Sequence, residues 1–497
     1  MSEFSVAQLP EVFVSDKTIS KNVHAAVAKG QLRKLGSRLY TRNLTDEPEK
    51  LVRRNWYGLV ANYFPDAVIA DRTALENKPA EDGSIFLISA KTREVELPGI
   101  LLRPRAGPGP LESDRPLAGV RLASTARAYL ENMRLSRARG GRAPRTAPRA
   151  EIEKRLDALL RQQDEGAINR IRDDARRIAP ELGYDSEFAE LDALIGSLLG
   201  TRDAKLESAV GKARHIGQPY DPDRLQLFGD LLFALRDSVA ERRPAPPRNG
   251  DANATLAFFE AYFSNFIEGT EFTVEEAAEI VFEGVIPAER PADAHDVLGT
   301  FRVVSDIEHL KQLPADYADF RRMLRHRHAM VMEARPDKGP GLFKAKPNQA
   351  GMTLFVAPDL VEGTLERGYD LCQALGDPLH RAIYTMVLVS EVHPFADGNG
   401  RIARIMMNAE LVAAGEERII IPTSYRTDYL TALKAFTHNA RIEPVIRMLS
   451  VAQGYTSRID WSSIQIARAH LAATNAFDEG EHAKLKLPYR SVADLGR

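Results

Sequence analysis

The chain has 497 residues, 44% of them hydrophobic and 27% charged, with a formal net charge of -2. That length suggests about three domains, and the composition excludes a chain that is disordered throughout. No stretch reaches the ~18 uninterrupted apolar residues of a spanning helix, the start MSEFSVAQLPEVF lacks a signal-peptide layout, and one cysteine, Cys372, excludes an internal disulfide. The expectation is a cytoplasmic protein with no membrane partner.

Charge is unevenly spread. Residues 1–150 carry 25 Lys and Arg against 16 Asp and Glu, a surplus of +9 that leaves -11 for the remainder. Lys17, Lys21, Lys29, Arg33, Lys34, Arg38 and Arg42 fall in a 17–45 stretch without an acidic residue, which would attract a phosphate backbone. Within it, 18–30 reads as a helix capped by Thr18 or Ser20 and ended by Gly30, and 31–42 as two short strands around Gly36-Ser37. The preceding LPEVFVSDKT is a weak first helix. Helix, turn and basic hairpin together predict a winged helix-turn-helix-like α+β domain over 1–130, with DNA contacted through residues 17–42. The segments KNVHAAVAKGQLRKLGSRLYT and ADRTALEN (70–77) resemble the winged-helix head of AbiEi-type antitoxins over roughly the first 90 residues. SIFLIS at 84–89 is a further β-rich run.

Pro, Gly and Arg crowd 134–150 and 241–254, which read as linkers. Between them, 151–240 is helical in pattern, with Ile152, Leu156, Leu159 and Leu160 on one stripe. The third part, 255–455, is also mostly helical, and 456–497 reads as a loosely held tail. The fold class expected is mainly α.

The densest chemistry lies in His393-Pro394-Phe395-Ala396-Asp397-Gly398-Asn399-Gly400-Arg401-Ile402-Ala403-Arg404, a loop pinned between two apolar helical stretches. Gly398 and Gly400 allow a ligand close to the backbone, and the N–H groups opening the second helix form an anion site. Arg401 and Arg404, three apart, share one side of that helix and can fork phosphate oxygens; Asp397 can hold a divalent cation, and His393 can act as a general base. These parts make a phosphoryl- or nucleotidyl-transfer site. No G-x-x-x-x-G-K-[ST] is present, so a P-loop is excluded.

The segment meets every fixed position of HPFx(D/E)GNGRxxR, and over about 255–455 the chain resembles the Fic family, an all-helical domain with a small β-hairpin flap. The resemblance implies transfer of AMP from ATP to a Ser, Thr or Tyr hydroxyl of a target protein or of the chain itself. His393 would deprotonate the hydroxyl, and Asp397 would hold Mg²⁺ against the α- and β-phosphates. Gly398, Asn399 and Gly400 would cradle the phosphates with Arg401, Arg404 would meet the γ-phosphate, and Phe395 would anchor the loop. Ser264-Asn265-Phe266-Ile267-Glu268-Gly269 places Ser264 and Glu268 four apart on one face and resembles the family's (S/T)xxxE(G/N) inhibitory motif, in which the glutamate pairs with the second arginine, here Arg404. Thr273 and Glu276 just beyond it have capping-box spacing. PGLFKAKPNQAGMTLFVAPDL at 340–360 resembles the family's flap, with Leu342-Phe343-Lys344 where an aromatic followed by arginine is usual. Tyr425 and Tyr429 can stack on adenine, with Tyr429 the nucleotide-binding candidate. His326 and His328, two apart, fall on different helix faces and do not read as a metal site, and Cys372 reads as core. The alternatives are removal of AMP, transfer of another nucleotide, or a DNA-binding regulator using the domain as a nucleotide sensor. Homodimerisation is a family-level expectation.

Overall fold

The computed structural model describes residues 4–138, 140–480 and 483–487. The chain forms two compact units, Met1–Gly217 and Gln218–Arg497.

The first unit begins with a three-stranded antiparallel sheet in which Leu39–Thr41 lies between Val12–Val14 and Arg33–Gly36. The stretch read as a weak first helix is therefore strand: Val12 and Phe13 are buried, and Phe13 packs with Val23, Ala26, Leu32 and Tyr40. Helix Ser20–Ala28 follows, started by the Asp16 carboxylate, which accepts from the N–H groups of Thr18 and Ile19 rather than by a Thr18 or Ser20 cap. Gly30, at φ +68°, turns the chain out of the helix.

A six-stranded mixed sheet comes next, in the order Val95–Leu97, Ile100–Arg105, Ser84–Ile88, Val68–Ile69, Val120–Leu122, Arg115–Leu117. Ser84–Ile88 runs parallel to Ile100–Arg105, and Val68–Ile69 parallel to Val120–Leu122; the other pairs are antiparallel. Of this sheet the sequence suggests only the run at 84–89. Helices Thr125–Met133, Arg149–Gln162, Glu165–Leu182, Asp185–Leu198 and Ala209–His215 complete the unit around Ile152, Leu156, Ile168, Leu191 and Leu194. The apolar stripe on Arg149–Gln162 is buried at Ile152 and Leu156 and half-buried at Leu159 and Leu160.

The second unit is almost entirely helical. Its centre is the antiparallel pair Pro378–Val392 and Asn399–Ala413, packed through Ile383, Val387, Ile402 and Met406. Asp377 caps the first of these by accepting from the Leu379 and His380 N–H groups, with Pro378 opening the helix, a combination worth about 1 kcal/mol. Helix Pro222–Asp237 belongs to this unit, where it packs on Val361–Cys372 and Pro378–Val392. The stretch 241–254 is no slack linker. Arg242 pairs with Glu416, which also accepts from the Arg243 backbone N–H, Arg248 pairs with Glu417, and Asn249 caps helix Gly250–Ile267, which starts inside the stretch. At the C-terminal end, the part read as a loose tail contains helix Ile464–Ala473, whose Ala467 and Leu471 pack in one cluster with Phe259 and Trp461. Residues 481–482 and 488–497 of that tail lie outside the described residues. No helix among the described residues is long and apolar enough to cross a membrane.

Candidate active site

Helix Pro378–Val392 ends at His393, which adopts the left-handed conformation at φ 51° and turns the chain into the loop. Phe395, fully buried, fixes the loop from beneath. Its N–H donates to Asn399 Oδ1 at 2.8 Å, and Asn399 Nδ2 donates back to the Phe395 carbonyl at 2.9 Å. The Asn399 side chain thus closes the loop on itself. Gly398, at φ +74°, precedes helix Asn399–Ala413, and a Cβ there would stand 2.8 Å from Met332 Sδ. Any other residue would have to displace that methionine in a strained backbone.

His393 Nδ1 lies 3.2 Å from the Ser390 carbonyl, and a carbonyl only accepts, so Nδ1 carries the hydrogen and Nε2 keeps its lone pair. The ring stacks face to face on Phe355, centroids 3.7 Å apart. Burial lowers the imidazole pKa to about 4; the Ser390 carbonyl acts against this and the Lys344 ammonium adds to it. At neutral pH the group is an uncharged proton acceptor.

His393, Gly400, Arg404, Tyr429 and Glu268 line one cavity of about 200 Å³. The flap closes over it: Gln349–Ala350 pairs antiparallel with Thr353–Leu354, and Ala350, Thr353 and Phe355 face the cavity. Thr353 Oγ1 is 2.8 Å from His438 Nε2, and Arg224 Nη2 donates to the Leu354 carbonyl at 3.0 Å, so both ends of the second flap strand are held.

Arg404 is buried, and each of its three guanidinium nitrogens has a partner. Nε donates to Ser264 Oγ at 3.0 Å, Nη2 to the Ser264 carbonyl at 2.8 Å and to Glu268 Oε1 at 2.7 Å, and Nη1 to the Tyr429 hydroxyl at 3.4 Å. Burial alone would weaken its charge, but Glu268 and Tyr429 reverse this and its pKa is raised. Ser264 sits in the last turn of Gly250–Ile267 and Glu268 at its end, and the next helix begins at the Thr273–Glu276 capping box. The Glu268 carboxylate occupies the space above Gly400, where a Cβ would lie 2.1 Å from Oε1.

Arg401 and Arg404, read as a fork on one side of the helix, face different partners. Arg401 Nη1 pairs with Asp296 Oδ2 at 2.7 Å and approaches Asn265, while Nη2 is 3.7 Å from Asp397. A buried carboxylate within reach outcompetes the open cavity for a buried guanidinium, so Arg401 ties the loop to helix Pro291–Ser305. Asp397 has a side chain 43% exposed, and its Oδ1 accepts from the Gly398 N–H at 2.6 Å. No cluster of three or more His, Cys, Asp or Glu that could hold a metal occurs among the described residues. One exposed carboxylate suits a cation whose other ligands are phosphate oxygens and water. Tyr425 is half-buried and does not line the cavity, whereas Tyr429 is buried and does.

Two residues to which the sequence reading assigns no part in holding the loop, His328 and Lys344, brace it. His328 stacks on Phe395 with centroids 3.7 Å apart; its Nδ1 accepts from the Gly341 N–H at 2.9 Å and its Nε2–H donates to the Asp397 carbonyl at 3.0 Å. Burial lowers its pKa to about 4, so it stays neutral as this pair of bonds demands. Lys344, also buried, donates from Nζ to Asn348 Oδ1 at 2.7 Å, and Asn348 Nδ2 donates to the Phe395 carbonyl at 2.8 Å. Burial brings the Lys344 pKa to about 7. Face spacing in RHRHAM says nothing about a histidine whose partners are backbone groups 13 and 69 residues away.

Residues 319–411 match the Fic/DOC family. The protein adenylyltransferase Fic of Drosophila mojavensis is 25% identical over 239 residues, covering 46% of this chain and 47% of that protein. The protein adenylyltransferase Fic of Nematostella vectensis is 28% identical over 301 residues, covering 57% and 63%. The chain spans about half the length of the curated relatives it matches. Among solved structures, a Fic domain-containing signaling protein from Bacteroides thetaiotaomicron VPI-5482 has a TM-score of 0.36 at 19% identity, covering 49% of this chain and 97% of that one. With its signature loop set between two packed helices, the region matched, 319–411, is a Fic/DOC family domain, and the chain is homologous to the protein adenylyltransferases Fic.

Proposed function

We propose that the protein transfers AMP from ATP to a hydroxyl of a target protein or of itself, and that Glu268 restrains this transfer by holding Arg404. The observation that carries the reading is the one cavity shared by His393, Gly400 at the start of helix Asn399–Ala413 and the Glu268–Arg404 pair.

His393 Nε2, free of a hydrogen, takes the proton of the attacking hydroxyl as its oxygen closes on the α-phosphorus, and pyrophosphate leaves. The N–H groups at Asn399 and Gly400 open a 15-residue helix and face the phosphates with the positive end of its dipole. Asp397 would hold Mg²⁺, which supplies charge neutralisation at the phosphates. Phe355 keeps the imidazole plane fixed, and the flap excludes water from the reacting atoms. In the braked state the Glu268 carboxylate occupies the guanidinium that would receive the γ-phosphate and repels that phosphate, so ATP is bound out of line.

The test is incubation with α-³²P-labelled ATP and Mg²⁺, comparing wild type, Glu268→Gly and Glu268→Gly/His393→Ala. Label in Glu268→Gly that is lost in the double variant is expected; no label in any form, with ATP still bound, overturns the reading in favour of another nucleotide or a sensor. A nucleic-acid contact at the other unit is the second reading. Exposed Lys21 and Lys29 on helix Ser20–Ala28 and its C-cap, with Lys34 on the adjoining hairpin, support it. Salt-dependent gel-shift binding lost on replacing these three lysines tests it.

A further inference from the structure

In the unit 1–217, helices Asp71–Glu76, Thr125–Met133 and Arg149–Gln162 and the edge of the six-stranded sheet surround a cavity of about 320 Å³, larger than the one beside His393. Its apolar wall includes Leu75, Leu122 and Leu159. Two arginines line it, Arg115 and Arg155, and no carboxylate does. Arg155 forms an ion pair with Glu151, 3.0 Å from its Nε, and donates from Nη1 to the Leu75 carbonyl, but its Nε–H makes no hydrogen bond. The exposed side chain of Arg115, on the edge strand Arg115–Leu117, has neither an ion pair nor a hydrogen bond among the described residues.

Tyr129 adds a second, independent observation. It is 3% exposed and lines the cavity, yet its hydroxyl has no hydrogen-bond partner among the described residues. The hydroxyl is not itself fully buried and so opens onto the cavity, while Arg155 Nε in the same lining is fully buried and without a hydrogen-bond partner. A second hollow of about 160 Å³ shares Arg115 and Thr125 with the first and includes Ser113, whose buried Oγ is also without a partner. The cations of this second wall are Arg115 and Arg177, of which Arg177 already pairs with Asp174. Arg115 is thus the uncommitted positive charge common to both hollows.

We propose that this cavity binds a small anionic molecule with an apolar, ring-sized body, the body against Leu75, Leu122 and Leu159 and the carboxylate, sulfonate or phosphate head on Arg115, with the Tyr129 hydroxyl as a neutral donor. Apolar lining with a few convergent polar groups is the usual make-up of a small-molecule site. Both charged groups of the lining, Arg115 and Arg155, are cations, which favours an anion over a cation among the ligands that fit.

Titration calorimetry of the full chain tests this with two probes of one shape, 8-anilinonaphthalene-1-sulfonate and the neutral N-phenyl-1-naphthylamine. The sulfonate is expected to saturate one site per chain, with the neutral probe about tenfold weaker. Arg115→Gln is expected to weaken the sulfonate about tenfold and leave the neutral probe unchanged, and Tyr129→Phe to weaken it roughly threefold. Ala158→Phe fills the hollow without touching a charge and is expected to abolish both. Absence of sulfonate binding overturns the proposal. So does equal affinity for the two probes, or sulfonate binding that survives Arg115→Gln and Ala158→Phe.

Discussion

Glu268 Oε1 stands 2.7 Å from Arg404 Nη2, and the same guanidinium is held by both the hydroxyl and the carbonyl of Ser264. Breaking the pair from the glutamate side frees a charge that Ser264 still orients. Glu268→Gly is therefore expected to raise label incorporation roughly 5- to 150-fold, the span of a coupling of about 1–3 kcal/mol. Ser264→Ala should raise it less and should lower maximal turnover, because it loosens the arginine as well as the brake. Labelling rates of both variants at saturating ATP check this.

On the proposed function, His393 acting as the base has a distinctive pH signature. Because its pKa is lowered to about 4, the neutral form predominates throughout the range from pH 5 upward. In the Glu268→Gly background kcat/KM should be flat on its acidic side between pH 5.5 and 8, where an unperturbed histidine would halve the rate near pH 6.5. His393→Ala should reduce turnover by about 10² to 10⁴. A pH–rate profile settles the first and single-turnover labelling the second.

His328 links stability to pH with the same sign. Its folded pKa of about 4 lies below the unfolded ~6.5, so the unfolded chain takes up the proton first. The stability it contributes is fully present above pH 6.5 and is lost as pH falls toward 4, about 2 kcal/mol by pH 5. His328→Phe keeps the ring against Phe395 but leaves the Gly341 N–H and the Asp397 carbonyl without their partner, at about 1–3 kcal/mol each. Urea midpoints at pH 7 and pH 5 should show a lower starting stability and a smaller acid-dependent drop in this variant.

Lys344 acts at the alkaline end. Its pKa of about 7, against an unfolded ~10.4, means that the unfolded chain binds more protons between pH 7 and 10, so stability rises with pH across that window. Urea denaturation from pH 7 to 9 should show a gain of about 2 kcal/mol in the wild type. Lys344→Met should remove the gain while releasing Asn348, which braces the Phe395 carbonyl.

What could be read from the sequence depended on whether the residues concerned are neighbours in the chain. The signature is twelve consecutive residues, and its helix–loop–helix setting follows from the apolar periodicity on either side. The six-stranded sheet is the reverse case. Val68–Ile69 has two residues and Val120–Leu122 three, too few for an alternating pattern, and their pairing joins positions more than 50 apart. Strand Val12–Val14 was obscured because VFV is as apolar as a short helix stripe. At 241–254 the Pro-rich composition gave no hint that Arg242, Arg243 and Arg248 find Glu416 and Glu417 about 170 residues on. Within the site, spacing put Arg401 and Arg404 on one side of a helix, but could not reveal that Asp296 claims the first of them.

The absent side chain at position 400 has an evolutionary reading. On the proposed function, the same small volume would admit either the Glu268 carboxylate or an incoming phosphate, and a methyl group there would exclude both, since it would fall 2.1 Å from the carboxylate oxygen. A lineage can therefore not escape restraint by substituting at 400 without forfeiting its substrate. Release has to come through the helix that carries Ser264 and Glu268, which leaves that helix as the one element on which selection can set the resting activity independently of the chemistry.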